Sequence, residues 1–434
     1  MISDCLGIDI GNSTSCISVY AKEENKVTVL SVDFNKKTKP TNVVIKKKKK
    51  GDNYKYVFGI PNEYGSNSVI SDFVRKIGSE EIFEIEIDDE KKTFTPKDIY
   101  IKCLESMIKD SHYENAVIIA VPASYKDDKI ELIKQMAEQA EFTFIDVVQS
   151  PIAVALAYLY QKKIQDKKTV LIFDFGITLN LSLVYVDENA ENCKILASEE
   201  FPTINSDVID SLIVDLIKNN FGRQKQNLSD GDIDIIKKNS ENVKITLSNE
   251  RDSSFRATFQ GKSFGSHITV KYEQFKNVCE KMFNGIIETV SKFLETTKIS
   301  KENVNEILLA GGSSNIAEIR NKLKDFFEKE LPVLDDVKFE EVVSYGAAAK
   351  FALFDQTTQQ IDPEQPQYID PEQPQHIDPE QPQYIDPEQP QHIDPEQPQH
   401  IDPEQPRPPN GNKSNIKIYY MVLAIALIIA LFIK

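Results

Sequence analysis

GIDIGNS at residues 7–13 and FDFGIT at residues 173–178 are two versions of one arrangement. In each, an apolar run closes on an aspartate, Asp9 or Asp174, and a glycine two places on, Gly11 or Gly176, begins a turn. The apolar run predicts a buried strand, and the glycine permits a tight turn whose backbone N–H groups lie beside the carboxylate. The surroundings repeat as well. AVIIAVPASY (116–125) is echoed by EILLAGGSSN (306–315), and SPIAVALAY (150–158) by SYGAAAKFA (344–352). Strands alternating with helices predict an α/β fold with covered sheets. A duplicated β-β-β-α-β-α pattern predicts two similar lobes around a ligand-binding cleft.

Between these anchors the reading is consistent. CLGIDI, SCISVYAK and KVTVLSVDF predict three opening strands, and TVLIFDF, LNLSLVYV and CKILASEEF their counterparts. Helices are expected from about Lys126 to Glu141, over SPIAVALAYLY, from about Asn315, and over EVVSYGAAAKFALF. Residues 272–297 carry apolar side chains at helical spacing and read as core or lobe surface rather than a cofactor box. The lysines Lys46–Lys50 fall between strands VVI and YKYVFGI, so a solvated hairpin tip is expected. Two facing carboxylates, Asp9 and Asp174, can hold a hydrated Mg²⁺ while the turns clasp phosphates. The five cysteines have no CxxC pair and the five histidines no metal-ligand spacing, so reduced thiols are expected.

The chain of 434 residues carries a net charge of −17. Six Asp-Pro-Glu units within 361–406 hold −12 of it, and four basic residues beyond them return +4. The globular part, 1–356, is therefore only mildly acidic, without the basic bias of a nucleic-acid-binding surface. From Ile361 the unit IDPEQPQ followed by Tyr or His recurs at a period of eight. Two prolines per unit oppose helix and sheet, so 357–415 is expected to be a disordered, extended spacer. Its 46 repeat residues would span on the order of 140 Å at ~3.1 Å each. Residues 418–433 are then uniformly apolar, flanked by Lys417 and Lys434. This predicts a C-terminal transmembrane tail anchor over 416–434, its partner the lipid bilayer, with the N-terminal domain on the cytosolic side. The endoplasmic reticulum is preferred over the mitochondrial outer membrane, and no signal peptide is evident at the N-terminus.

GIDIGNSTSCISV, AVIIAVPASYKD, SPIAVALAY, VLIFDFG, ENVKITLS, EILLAGGSSNI and VVSYGAAA occur in the order and spacing of the ATPase domain of 70-kDa heat-shock proteins. The chain resembles that domain over about residues 4–355. The resemblance implies the duplicated, two-lobed actin-like (ribonuclease H-like) fold, with ATP or ADP and Mg²⁺ as cofactors and chaperone-system proteins as partners. It places Asp9 and Asp174 at the metal, reached through water. Gly11, Asn12, Ser13, Gly176 and Thr178 then fall on the phosphate turns, Glu241, Lys244 and Ser248 at the adenosine, and Gly311, Gly312 and Ser313 in a third loop.

The departures are equally specific. Val74, followed by Arg75 and Lys76, stands where the family has its catalytic lysine, and Ser150 where it has a glutamate. The second phosphate loop is one residue short at Gly176–Thr178, and Asn180 replaces an aspartate. Asn205 and Ser206 replace a glycine pair, and Asn315 and Ile245 replace arginines that flank the base. Nothing after Phe354 resembles the family's linker, β-sandwich or lid, so no peptide-binding domain is expected. These losses predict a degenerate, tail-anchored nucleotide binder with weak or absent hydrolysis, acting as a co-chaperone or scaffold. A slow but genuine ATPase using Lys76 or Lys244 is one alternative, and an actin-like membrane adaptor or polymer the other.

Overall fold

A computed structural model describes residues 4–360, apart from 33–35, 48–53, 60–68, 88–89, 112, 114–115, 188–189, 221–227 and 258–265. The chain divides into Met1–Gln365 and Pro366–Lys434. The repeat from 361 and the apolar tail both lie outside the described residues, as do the expectations attached to them. No helix among the described residues is long and apolar enough to cross a membrane.

The first half opens with β1 (Asp4–Ile10), β2 (Thr14–Ala21), β3 (Lys26–Val29) and the short β4 (Thr38–Pro40). A three-stranded ribbon follows, from β5 (Val43–Lys47), β6 (Tyr54–Phe58) and β7 (Val69–Ile70), then a hairpin of β8 (Phe83–Ile87) and β9 (Glu90–Phe94). β5 and β6 pair antiparallel from Val43↔Phe58 to Lys47↔Tyr54, as the lysine-run hairpin requires. α1 (Pro96–Ser111), β10 (Ala116–Val121), α2 (Asp127–Gln139), β11 (Phe144–Gln149) and α3 (Ser150–Tyr160) complete this half.

The second half repeats the plan with β12 (Lys168–Phe175), β13 (Thr178–Val186) and β14 (Lys194–Asn205). It continues through α4 (Ser206–Asn220), α5 (Asp230–Leu247), β15 (Ser253–Ala257), β16 (Ser266–Val270) and α6 (Tyr272–Thr297). β17 (Glu306–Ala310), α7 (Ala317–Phe327) and α8 (Val342–Gln360) close it.

The duplication holds at the level of register. The first sheet runs β11-β10-β1-β2-β3 and the second β17-β12-β13-β14. β1 is antiparallel to β2 and parallel to β10; β12 is antiparallel to β13 and parallel to β17. Asp9 lies opposite Ala120 and Asp174 opposite Ala310, the same place in both sheets.

Each sheet buries its outer face under its own helices. Leu6, Ile8 and Ile10 join a core with α1 and α2, and Leu171, Phe173 and Phe175 one with α4 to α7. The inner faces share a third core built on α3 and α8, which contains Cys5, Val170 and Ile172. This layer is rich in alanine because the backbones come very close. A Cβ on Gly346 of α8 would sit 1.7 Å from the Ala153 carbonyl oxygen of α3. One on Gly7 of β1 would sit 2.3 Å from the Ser344 carbonyl oxygen of α8. The cysteines are all free, and four of them are buried.

Candidate functional site

Side chains alternate across a strand, so residues of one parity share a face. Cys5 of β1 faces the shared α3–α8 layer, and Asp9, four residues on, is on the same side. Val170 and Ile172 of β12 face that layer too, which puts Asp174 on the inner side of the second sheet. Both aspartates therefore point into the space between the sheets. There they line a cavity of about 290 Å³. The first turns of α3 and α8, with Ser150, Pro151 and Val343, form part of its wall. Helix N-termini present free N–H groups and a partial positive charge, favourable for anions.

Gly11, Asn12 and Ser13 from the β1–β2 turn and Gly176, Ile177 and Thr178 from the β12–β13 turn line the same cavity. So do Gly311 and Gly312 after β17, together with Val74. The first turn is closed by Gly11 N–H donating to Thr14 O at 3.1 Å. Gly311 has φ +81°, and a Cβ there would lie 2.6 Å from Asp174 Oδ1, so only glycine leaves that carboxylate accessible. Ser313 lies just behind, its hydroxyl donating to the Gly176 carbonyl at 2.9 Å.

The charges of this cavity are one-sided. Among the described residues lining it are Asp9, Asp174, Glu199, Glu200 and Glu340, and no lysine, arginine or histidine. Burial, with the Asp174 charge second, pushes the Asp9 carboxyl up to about 7, and burial pushes Asp174 up to about 6. Asn12 Oδ1 is buried with no hydrogen-bond partner among the described residues. A hydrated divalent cation fits this set: it offsets the carboxylates, and its water can satisfy the orphaned amide oxygen. Asp9, Asp174 and Asn12 are the residues that would hold it.

The aspartate pair has a consequence for stability. A carboxyl whose folded pKa is raised contributes most below its unfolded value and loses that contribution as pH rises through the folded one. Asp9→Asn is therefore expected to stabilise the nucleotide-free protein by about 1–3 kcal/mol at pH 8. The gain should shrink as the pH is lowered towards 5. Denaturant midpoints at the two pH values check this.

The structure does not bring Glu241, Lys244 and Ser248 to this cavity; Glu241 and Lys244 lie on α5 and Ser248 caps its end. Lys244 Nζ pairs with Asp210 Oδ2 at 2.8 Å. The Ser248 hydroxyl donates to Lys244 O at 2.8 Å, and its carbonyl accepts from Ala317 N–H at the start of α7. Ile245 is 56% exposed rather than packed on a neighbour. Lys76 pairs with Glu81 at 2.8 Å and Arg75 lies beside Asp72, and neither lines the cavity. Ser150 donates its hydroxyl to Val121 O at 3.0 Å. Asn205 Oδ1 accepts the Asp207 N–H and so caps α4. Asn315 donates to Glu340 Oε2 at 3.0 Å, tying the third loop to the segment before α8. Glu199, Glu200 and Glu340 were not among the residues expected at the site; the signal was a pair of acids on a strand of the second sheet.

The family model described as Hsp70 protein matches residues 5–362. The chain is 28% identical over 390 residues to a heat shock 70 kDa protein of Emericella nidulans, a match covering 82% of this chain and 59% of that protein. The match to a heat shock 70 kDa protein of Neurospora crassa is 27% over 389 residues, with the same coverages. Heat shock cognate 70 kDa protein 3 of Dictyostelium discoideum is 26% identical over 385 residues, 80% of this chain and 60% of that protein. The chain thus spans about three-fifths of the length of the curated relatives it matches.

Proposed function

The chain belongs to the Hsp70 protein family, and from that premise we propose that its two lobes clamp an adenine nucleotide as the Mg²⁺ complex, with little or no hydrolysis. The observation that carries this reading is the cavity's charge: acidic residues line it and, among the described lining residues, there is no side-chain cation. Phosphates can enter such a site only with their charge offset by a metal, and are then held by backbone N–H groups of the turns and helix starts. Val74 at the family's lysine position supports binding without turnover, since positioned positive charge does much of the work of phosphoryl transfer.

Titration calorimetry of the full chain with ATP and ADP tests this. Binding of both is expected in Mg²⁺, with affinity falling at least tenfold when the metal is chelated. Equal affinity with and without Mg²⁺, or no binding of either nucleotide, would remove the reading.

The apolar residues 418–433 and the lysines beside them support a further part of the proposal. The domain is held on the cytosolic face of a membrane, the endoplasmic reticulum being preferred, as a chaperone-related scaffold at the end of a repetitive spacer. The protein should then stay in the pellet after alkaline carbonate extraction, while protease added outside sealed vesicles releases the folded domain. Recovery in the carbonate supernatant would contradict attachment.

A further inference from the structure

The strand registers of the second sheet place three polar residues in one row. Asp174 of β12 lies opposite Asn180 of β13, and Asn180 lies opposite Glu200 of β14. Directly paired residues point to the same face, so all three stand on the inner side, where each lines the cavity. Strands are about 4.8 Å apart, which puts Glu200 roughly 10 Å across the sheet from Asp174. Its Oε1 accepts the Thr178 hydroxyl proton at 2.9 Å. Thr178 opens β13 directly after the β12–β13 turn, the turn that closes on the phosphates in the proposed function.

Just beyond that contact the pairing is irregular. The β13–β14 pairing jumps from Leu179↔Phe201 to Thr178↔Asn205, so residues 202–204 have no partner on β13. The extra length lets β14 diverge from the turn after residue 201, while Glu200 is still held against Thr178.

The hydroxyl of Thr178 has one proton to donate. In this structure a carboxylate of the protein takes it, and that carboxylate bears the charge that a terminal phosphoryl group would bring. We propose that Glu200 is a specificity-determining residue, an internal anion at the end of the phosphate clasp that disfavours a nucleoside triphosphate relative to the diphosphate. A triphosphate reaching Thr178 must displace Glu200 and lie beside its charge; a diphosphate held nearer Asp174 does neither. The inference rests on nucleotide binding as proposed above.

Glu200→Gln keeps the size of the side chain and an acceptor for Thr178 but removes the charge. Titration calorimetry of the full chain in Mg²⁺ is expected to show ATP affinity rising at least tenfold and ADP affinity changing less than twofold. Glu288→Gln removes the same charge from the exposed side of α6, away from the cavity, and should leave the ATP-to-ADP ratio within twofold of the unsubstituted protein. An unchanged ratio in Glu200→Gln, or an equal shift from Glu288→Gln, overturns the inference while leaving nucleotide binding intact. If neither nucleotide binds the unsubstituted chain or Glu200→Gln, both the inference and the reading beneath it fall.

Discussion

Among the described glycines, Gly346→Ala is expected to be the most damaging change to alanine, costing at least about 4 kcal/mol or preventing soluble expression. The added Cβ would sit 1.7 Å from Ala153 O and 2.5 Å from its carbonyl carbon. Those atoms are main chain, so no rotamer change relieves the clash; α3 and α8 must separate, and the shared core opens with them. The same substitution elsewhere provides the comparison. Nothing lies within 4 Å of a Cβ at Gly285, inside α6. There, alanine should stabilise by about 0.5–1 kcal/mol through helix propensity. Denaturant unfolding of the two variants should move the midpoint in opposite directions. Equal shifts would mean that the α3–α8 approach is looser than described.

In a single-turnover experiment, the purified protein is expected to release phosphate from ATP no faster than background, and Val74→Lys alone should not restore release. Val74 is 6% exposed and belongs to the first lobe's outer core, while Tyr125 donates its hydroxyl to its carbonyl. A lysine there must lay its stem along an apolar wall to bring its amine into the cavity. Even when placed, it would meet a site in which Ser150 is engaged with Val121 O and Thr178 with Glu200. Losing one preorganised charge commonly costs a factor of ~10² or more, and groups that act together are strongly non-additive. Robust release from the unsubstituted protein, abolished by Asp9→Asn, would make this a working ATPase and refute the expectation.

The parts of the fold that were legible are those where the local pattern and the tertiary environment agree. AVIIAV is β10 over the residues expected, SPIAVALAYLY is α3, and 272–297 is α6. The aspartates were legible because a strand's parity and its closing glycine are both written in a few consecutive residues. α1 and α4 went unread although their signal is present. Ile209, Ile213, Leu216 and Ile217 are buried at helical spacing in α4, as are Ile99, Cys103, Leu104 and Met107 in α1. Glu200 was only half legible: the paired acids at 199–200 were visible, but exposed acids on a strand carry no sign of the register that sets Glu200 opposite Asn180. The course of α5 was beyond reach for a similar reason. Its C-terminal end is tied to α7 through the Ser248 carbonyl, a contact between residues about seventy positions apart.

The close approaches at Gly7 and Gly346 set more than stability. Where β1 meets α8 and α8 meets α3, main chain rests on main chain, with no side chain as a spacer. The spacing of β1 from α8, and of α8 from α3, is thereby gauged by peptide units, the one component that substitution does not alter. Trimming a leucine or phenylalanine in either outer core weakens its lobe without resetting that gauge. The opening between Asp9 and Asp174 is thus insulated from drift in most of the chain. It is exposed to change at a handful of glycines and alanines, where a single methyl acts as a wedge.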